Sequence, residues 1–287
     1  MCKYDNVISL GFKCETAFVI EAVFGKVESN LFNWVSQNDN IDSLIKVLQN
    51  PDLLMSEGLE FEEYNAFMYK DKALGFRYHS KMETDILNSL QGQEREDYIS
   101  KMGEEVTSRM NYLKNKFFSK VKSNDKNLFI MCFNSGIPKD RVFEILEKLS
   151  NVIYEISCNK ESKLMVVFEK NFINKINITN FINNIYKQHN NILVETVSSF
   201  SSDYTQDFKY NDWLKIYKKL QIFVDNNPDY KNNYKKYSKK YRLNYYRRKA
   251  FRRFLFSQRK IYKYVNDKPV LYREYTILGK VFEFKIK

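Results

Sequence analysis

Short apolar runs alternate with stretches of helical periodicity along the first 225 residues. The runs predict strands over residues 4–10, 127–133, 152–156, 164–168 and 192–197. Apolar residues at spacings of three and four predict helices near 17–24 and over 41–49, 84–122 with a break near Gly92, 139–149, 179–188 and 210–223. Strands that alternate with helices are typical of an α/β domain with a largely parallel sheet, and we predict this fold for residues 1–225.

Two pairs of segments show the pattern of β-hairpins instead. Residues 67–69 and 74–79 predict one hairpin, with a turn at 70–72. Residues 270–275 and 280–284 predict a terminal hairpin that turns at Leu278-Gly279. Because Asn226-Asn227-Pro228 is a strong break, we predict a second region over 226–287, which consists of a basic aromatic helix and this hairpin.

The composition excludes several classes of protein. The chain has 287 residues, of which 44% are hydrophobic and 16% aromatic, so it has enough apolar surface to form a core and is not disordered throughout. It has no signal-peptide pattern at its start and no apolar run near the roughly 18–20 residues of a membrane span. The four cysteines are scattered and only two histidines occur, so we expect a cytoplasmic protein without a disulfide framework or a bound metal.

The positive charge is concentrated in one segment. The formal net charge is +12, and residues 231–263 contain 14 Lys and Arg with no Asp or Glu, which leaves −2 for the rest. Tyr234, Tyr237, Tyr241 and Tyr245 recur there at helical spacing. One interpretation is a helix bound peripherally to an anionic membrane surface, at the inner face of the plasma membrane. In the other, the tyrosines pack on the protein and the charges are solvated.

Nucleic acid is a less favoured partner for this segment, because the rest of the chain is net negative and carries no recognised nucleic-acid module. The basic residues that we assign to an anionic surface are Lys239, Lys240, Arg242, Arg247, Arg248, Arg252 and Arg253.

Cys14 is the candidate nucleophile. It follows the first predicted strand and Gly11, at the predicted start of a helix. A helix N-terminus lowers the pKa of a thiol, and Lys13 would lower it further. The same N-terminus can hold an oxyanion, and Gly11 would allow close approach of a substrate. The alternative is an inert buried cysteine. Cys132 and Cys158 lie in apolar runs and are predicted to be buried.

His79 is the candidate general base. It ends an aromatic strand, whereas His189 lies in a polar loop and is predicted to be solvated. Cys/His chemistry would therefore pair Cys14 with His79. Asn33, Ser80 and Asp85 are all candidates for orienting the imidazole, and their spacing in the sequence does not choose between them.

The sequence around these residues resembles a bacterial family of papain-like cysteine peptidases, a domain of unknown function found near surface-polysaccharide genes. The similar blocks are Ile8 to Cys14 with Ala17, then Phe32-Asn33-Trp34, Tyr78-His79-Ser80, Arg109 to Leu113, and Leu128-Phe129-Ile130. They cover roughly residues 4–220 in the family's order. The resemblance implies that Cys14 is the nucleophile and His79 its base, and it offers a papain-like α+β fold as the alternative to α/β.

Two positions depart from the family pattern, since Asn33 and Ser80 stand where the family usually has Asp. If either Asp orients the base in the family, this chain must use the Asn33 amide or another carboxylate, or it has lost activity. We group Trp34 and Ser80 with Gly11 and Lys13 as candidate substrate or oxyanion residues.

The expected function is cysteine-dependent acyl transfer or hydrolysis in capsule or lipopolysaccharide biosynthesis, on a glycan or lipid-linked sugar substrate. The opening also resembles capsule-biosynthesis O-acetyltransferases that bind coenzyme A, which implies acetyl-CoA as an acyl donor. Residues 276–287 resemble the closing segment of some bacterial polysaccharide-processing enzymes. A third hypothesis is a non-catalytic adaptor that docks on membranes through 231–263.

Overall fold

The computed structural model describes residues 3–11, 14–25, 28–33, 35–36, 41–63, 68–133, 139–173, 191–201, 208–220, 230–243, 256–265, 268–277 and 280–285. The chain divides into two compact units, Met1–Tyr230 and Lys231–Lys287. The division predicted from the sequence lies between residues 225 and 226. Among the described residues, no helix combines the length and the apolar character that crossing a bilayer requires.

The first unit contains helices and two sheets. Its strands are β1 (Asn6–Ser9), β2 (Val35–Ser36), β3 (Leu59–Glu62), β4 (Met68–Asp71), β5 (Arg77–His79), β6 (Asn127–Phe133), β7 (Lys163–Glu169) and β8 (Ile192–Val197). Its helices are α1 (Glu15–Phe24), α2 (Ile41–Gln49), α3 (Thr84–Ser89), α4 (Gly92–Lys122), α5 (Val142–Ile156), α6 (Lys170–Ile173) and α7 (Tyr210–Lys219). Single 3₁₀ turns cover Pro51–Leu53 and Lys139–Arg141.

A four-stranded parallel sheet in the order β1-β6-β7-β8 forms the centre of this unit. Its register aligns Ile8, Phe129, Leu164 and Ile192 in one row across all four strands, and each of these side chains is at most 1% exposed. Strands that are all parallel require helical crossovers, which the alternation of strand and helix had predicted. The α/β prediction is therefore confirmed, in preference to the α+β alternative.

Helices cover both faces of the parallel sheet. Residues of α2, α4 and α5 join Phe129 and Met131 in one hydrophobic cluster. On the opposite face, α1 packs on β1 and β6, and α7 packs on β8 and on α1, with Phe24 and Tyr217 ring centroids 5.0 Å apart. Because helices cover both faces, all seven residues of β6 are buried. The same cover explains why continuous apolar runs in the sequence identify the parallel strands.

The second sheet is antiparallel, in the order β2-β5-β4-β3. The predicted hairpin is its β4–β5 pair, with Tyr69 opposite Tyr78, but the sequence analysis missed β2 and β3. A buried carboxylate fixes the turn between β4 and β5, since Asp71 accepts hydrogen bonds from the N–H groups of Ala73 and Leu74 at 3.0 and 3.1 Å. This sheet places His79 at the end of β5.

The predicted strand over 152–156 is wrong, because these residues form the end of α5. Leu149, Val152 and Ile153 are buried at helical spacing, and no Gly or Pro interrupts the helix before Ser157. The break near Gly92 is confirmed as the gap between α3 and α4. The helix predicted over 179–188 lies outside the described residues.

A short helix, α8 (Tyr230–Ser238), lies at the start of the second unit. Its first residue, Tyr230, is the last residue of the first unit. A π-helical turn, Lys239–Leu243, follows it. Strands β9 (Phe256–Val265), β10 (Lys268–Ile277) and β11 (Lys280–Lys285) form an antiparallel sheet in the order β11-β10-β9.

The register of this sheet confirms the predicted terminal hairpin, with Tyr275 opposite Phe282. The prediction of a helical pattern as far as residue 263 is wrong, because residues 256–263 belong to β9. Aromatic and β-branched residues such as Ile261 and Tyr262 favour a strand there.

Candidate functional site

Cys14 lies at the carboxyl edge of the parallel sheet, where α/β proteins commonly bind ligands. The Leu10 N–H donates to the Ile130 carbonyl at 2.8 Å, so the chain stays paired with β6 just beyond β1. Cys14 then precedes α1, and its carbonyl accepts the Phe18 N–H at 3.3 Å. The sequence had predicted this position, a cysteine at the start of the helix that follows the first strand.

The turn between β1 and α1 depends on Gly11. Its φ angle is 84°, a conformation that glycine adopts without strain. The Gly11 N–H donates to the Ser9 hydroxyl at 3.2 Å, and that hydroxyl is 2.5 Å from the Thr16 hydroxyl in α1. These two contacts tie the end of β1 to the first turn of α1, on either side of Cys14.

Burial dominates the electrostatics of the Cys14 thiol. The residue is half-buried, and this burial raises the pKa of the thiol above its usual value, although its own backbone N–H acts in the opposite direction. The expected lowering of the pKa by the helix N-terminus is therefore wrong for this conformation. Lys13, which was expected to assist, lies outside the described residues. The thiol is protonated at neutral pH, so a nucleophilic role requires a base.

The other described cysteines differ in exposure. Cys132 is buried in β6, as predicted. Cys158 was also predicted to be buried but is exposed, because it lies beyond the end of α5 rather than inside an apolar element.

We expect iodoacetamide to alkylate Cys14 several-fold more slowly than Cys158 at pH 7, because Cys14 is half-buried and protonated. The Cys14 rate should keep rising as the pH passes about 9, since the thiolate is the reactive form and its pKa is raised. Peptide mass spectrometry after timed alkylation measures both rates in one sample. Faster alkylation of Cys14 than of Cys158 below neutral pH would contradict this prediction.

Glu15 is a buried carboxylate next to Cys14 that the sequence analysis missed. It is 0% exposed. Its Oε2 accepts hydrogen bonds from the Ser201 N–H and hydroxyl, both at 2.8 Å, and its Oε1 accepts one from Trp213 Nε1 at 3.0 Å. A carboxylate in the first turn of α1 also interacts favourably with the helix dipole. Glu15 thus fixes the start of α1 against the segment after β8 and against α7.

His79 ends β5 opposite Met68 and is exposed. The Arg109 guanidinium on α4 donates a hydrogen bond to its backbone carbonyl. Partial desolvation of the ring, together with the positive charge of Arg109, lowers the pKa of His79 below its usual value. The imidazole is therefore neutral at physiological pH, which is the form that can accept a proton.

The structure does not show Cys14 and His79 in direct contact. Both residues are described, yet no hydrogen bond joins them. Cys14 belongs to the edge of the parallel sheet and His79 to the antiparallel sheet. The catalytic pair stays a prediction.

Asn33 is buried with one unused acceptor. It is 6% exposed, and its amide Nδ2 donates to the Glu28 carbonyl at 2.9 Å. Among the described residues, no group donates a hydrogen bond to its Oδ1 or to Oδ1 of Asn30, which is also buried. Among the described contacts Asn33 therefore does not orient His79, but its oxygen is available for a donor.

Ion pairs to α4 hold the loop that carries Asn33. Glu28 lies 2.6 Å from Lys120 Nζ and 2.9 Å from Lys116 Nζ. Partial burial alone would raise the pKa of Glu28, but these two lysines lower it overall. The loop is thus attached to the same helix that carries Arg109.

The remaining candidates have different surroundings. The Ser80 hydroxyl accepts the Met82 N–H at 3.3 Å and so shapes the turn after β5. Asp85 is exposed in the first turn of α3. Trp34 and His189 lie outside the described residues. Among the residues that the structure describes, no three or more His, Cys, Asp or Glu side chains come together as metal ligands.

The basic segment shows an inward tyrosine and outward lysines. Tyr237 is 2% exposed, and its ring centroid lies 6.4 Å from that of Tyr234 and 5.0 Å from that of Tyr241. Lys239 and Lys240 are exposed. A buried Tyr237 favours packing among neighbouring side chains over insertion among lipid headgroups.

The other residues that we assigned to this surface are only partly described. Arg242 belongs to the π-helical turn. The remaining four, Arg247, Arg248, Arg252 and Arg253, lie outside the described residues.

No protein-family model matches the chain, and no curated protein or solved structure has a significant similarity to it. The assignment of a function therefore depends on the geometry of the chain itself.

Proposed function

We propose that the protein is a cysteine-dependent acyltransferase or hydrolase in which Cys14 is the nucleophile and His79 the general base. One observation carries this proposal: the Cys14 thiol lies at the N-terminus of α1, directly after a glycine turn, at the carboxyl edge of a parallel sheet. That position combines a ligand-binding edge with a helix end that favours negative charge.

The proposed chemistry begins with a protonated thiol. His79 removes the proton as sulfur attacks an acyl carbonyl, and the N-terminus of α1 stabilises the oxyanion that forms. The leaving group takes the proton from the imidazolium as the carbonyl reforms, which leaves a thioester on Cys14. Water or a sugar hydroxyl then attacks the thioester and releases the thiol. Because the free protein has no Cys14–His79 hydrogen bond, the two side chains must meet in the substrate complex.

The biological setting belongs to the same proposal. We assign the enzyme to capsule or lipopolysaccharide biosynthesis in the cytoplasm, with a glycan or lipid-linked sugar as acceptor and acetyl-CoA as a candidate acyl donor. The sequence resemblance supports this setting. The exposed Lys239 and Lys240 support peripheral attachment to the inner face of the plasma membrane.

The second candidate function is a non-catalytic adaptor that docks on an anionic membrane. The raised pKa of Cys14 and the absence of a described hydrogen bond to His79 favour it, because an adaptor needs neither group poised for catalysis. Under this hypothesis, Cys14→Ala leaves the phenotype unchanged, whereas charge reversal in 231–263 abolishes it.

The test is incubation of the full chain with acetyl-CoA, followed by intact-mass analysis. We expect one acetyl group on the wild type and on Cys158→Ala, and none on Cys14→Ala. His79→Gln should form the adduct roughly 10²–10⁴-fold more slowly, which is the usual contribution of a general base. In parallel, p-nitrophenyl acetate serves as an activated ester for the hydrolase reaction.

Two results would overturn the proposed function. One is equal acetylation of Cys14→Ala and wild type, and the other is no adduct or turnover with either acyl donor. The matched Cys158→Ala variant shows whether an exposed thiol alone accounts for labelling.

A further inference from the structure

Among the residues that the structure describes, Arg109 is the one arginine of the first unit without an ion pair. This unit has four arginines, and all of them are described. Three of them contact carboxylates: Arg77 lies 2.6 Å from Glu62, Arg95 lies 2.7 Å from Glu63, and Arg141 lies 3.1 Å from Asp42. Arg109 donates instead to the backbone carbonyl of His79, and no described carboxylate pairs with it.

The missing carboxylate is notable because the Arg109 guanidinium is not fully solvated. Burial lowers the pKa of Arg109, which shows that water only partly stabilises its charge. Partly buried arginines are normally paired, since an uncompensated charge loses hydration without a Coulombic gain. A guanidinium has five N–H donors, and the carbonyl of His79 occupies only one side of this one. Among the described residues, its other donors make no hydrogen bond, so they can donate to a ligand.

The arrangement is also held in place. The hydrogen bond to the His79 carbonyl connects α4 to the end of β5 and fixes the direction of the Arg109 side chain. The His79 imidazole is close enough for the charge of Arg109 to act on it, and it is neutral at physiological pH. A neutral imidazole still carries one N–H donor. A fixed guanidinium and an imidazole N–H together match the oxygens of a phosphate or a carboxylate.

We propose that Arg109 and His79 form a binding subsite for an anionic group of the substrate, a phosphate or a carboxylate. This inference extends the proposed function. It rests on that function for one statement only, that the anion is part of the acyl donor or acceptor. The binding itself requires only the residues named here.

Anion binding also affects the proposed base. A bound anion offsets the positive charge of Arg109, which otherwise disfavours protonation of His79. The imidazole then becomes a stronger base when substrate is present. Arg109 acts on the chemistry through the anion and through His79, so it is a binding and positioning residue.

The test is an NMR titration of the full chain with labelled histidine. The chain has two histidines, and His79→Gln assigns their signals. Inorganic phosphate and acetate are the two probes. We expect a saturable shift of the His79 ring signals in the wild type and in Cys14→Ala, and affinity about tenfold or more lower in Arg109→Gln, the usual effect of losing a charge-assisted hydrogen bond.

Arg95→Gln is the matched control, because it removes the same charge from the same helix at an arginine that already has carboxylate partners. It should leave the affinity unchanged. Arg109→Lys keeps the charge but not the planar donor geometry and should bind more weakly than the wild type. If Arg109→Gln fails to fold, which circular dichroism shows, the comparison of Arg109→Lys with Arg95→Gln decides the result.

Saturation by phosphate, by acetate or by both supports the subsite and identifies its preferred anion. Non-saturable shifts, or equal loss of affinity in Arg95→Gln and the Arg109 variants, would overturn it. The use of Cys14→Ala separates the two proposals. Anion binding without an adduct or turnover with either acyl donor would refute the acyl-transfer proposal alone. Acetylation without anion binding would refute the subsite alone.

Discussion

Replacing Asp71 with alanine is expected to lower the free energy of unfolding by about 3–5 kcal/mol. The Asp71 side chain is 0% exposed. Its carboxylate accepts hydrogen bonds from the N–H groups of Ala73 and Leu74. It also accepts one from the Met55 N–H at 2.8 Å and one from the Tyr78 hydroxyl at 3.2 Å. Alanine would leave these donors buried without a partner, at a cost of about 1–3 kcal/mol each that is not additive.

Urea denaturation followed by circular dichroism measures this loss. Asp52→Ala is the control, because the Asp52 side chain is 93% exposed and its ion pair with Lys114 is long, at 3.6 Å; we expect it to change stability by less than about 0.5 kcal/mol. A loss below about 1 kcal/mol for Asp71→Ala would show that the β4–β5 turn does not depend on this carboxylate.

The Asp71 network also supports the proposed site. The Tyr78 hydroxyl that donates to Asp71 belongs to β5, next to His79. Burial raises the pKa of Tyr78 well above its usual value, and the charge of Asp71 and the hydrogen bond to Asp71 raise it further. The phenol therefore stays protonated and continues to donate this hydrogen bond. The position of the candidate base thus depends on a buried network that has no catalytic chemistry of its own.

The parallel sheet was predictable from the sequence because its strands are covered on both faces. Strands β6 and β7 are continuous apolar runs, which is the pattern that two helical layers impose. The antiparallel sheet was harder to predict. Its β3 strand is only partly buried, and β2 has two residues, so neither contains enough alternation to be recognised. The end of α5 was mistaken for a strand because a short apolar run does not distinguish the two elements.

The position of Cys14 was predictable for a different reason. A strand, a glycine turn and a helix are consecutive in the sequence, so local pattern is enough to place the residue between them. The pKa of its thiol was not predictable, because burial in the folded chain raises this pKa more than the backbone N–H of Cys14 lowers it. The local sequence pattern predicts the position of Cys14, whereas tertiary packing determines the charge state of its thiol.

Long-range partners explain why the sequence did not reveal the roles of Glu15 and Arg109. Glu15 accepts hydrogen bonds from side chains that are 186 and 198 residues away in the sequence. Arg109 follows Glu105 by four residues, a spacing that favours an ion pair on a helix, yet the structure shows no such pair. Its uncompensated charge becomes visible only when α4 and β5 are seen together.

Replacing Glu15 with glutamine is expected to lower the free energy of unfolding by about 2–4 kcal/mol. The fully buried carboxylate accepts two hydrogen bonds from Ser201 and one from Trp213, among others. Glutamine has the same shape but turns one acceptor into a donor, so its amide nitrogen must face an N–H group. It also removes the negative charge from the first turn of α1. Glu147→Gln is the control, the same change at an exposed position on α5.

A second measurement connects this loss to the site. Because Glu15 is adjacent to Cys14 and fixes the first turn of α1, loosening that turn should expose the thiol to solvent. We therefore expect iodoacetamide to alkylate Cys14 several-fold faster in Glu15→Gln than in wild type at the same pH, while the rate at Cys158 stays unchanged. A variant that lost stability without a change at Cys14 would restrict Glu15 to anchoring α7. Faster alkylation would instead show that the buried carboxylate keeps the proposed nucleophile half-buried in the free protein.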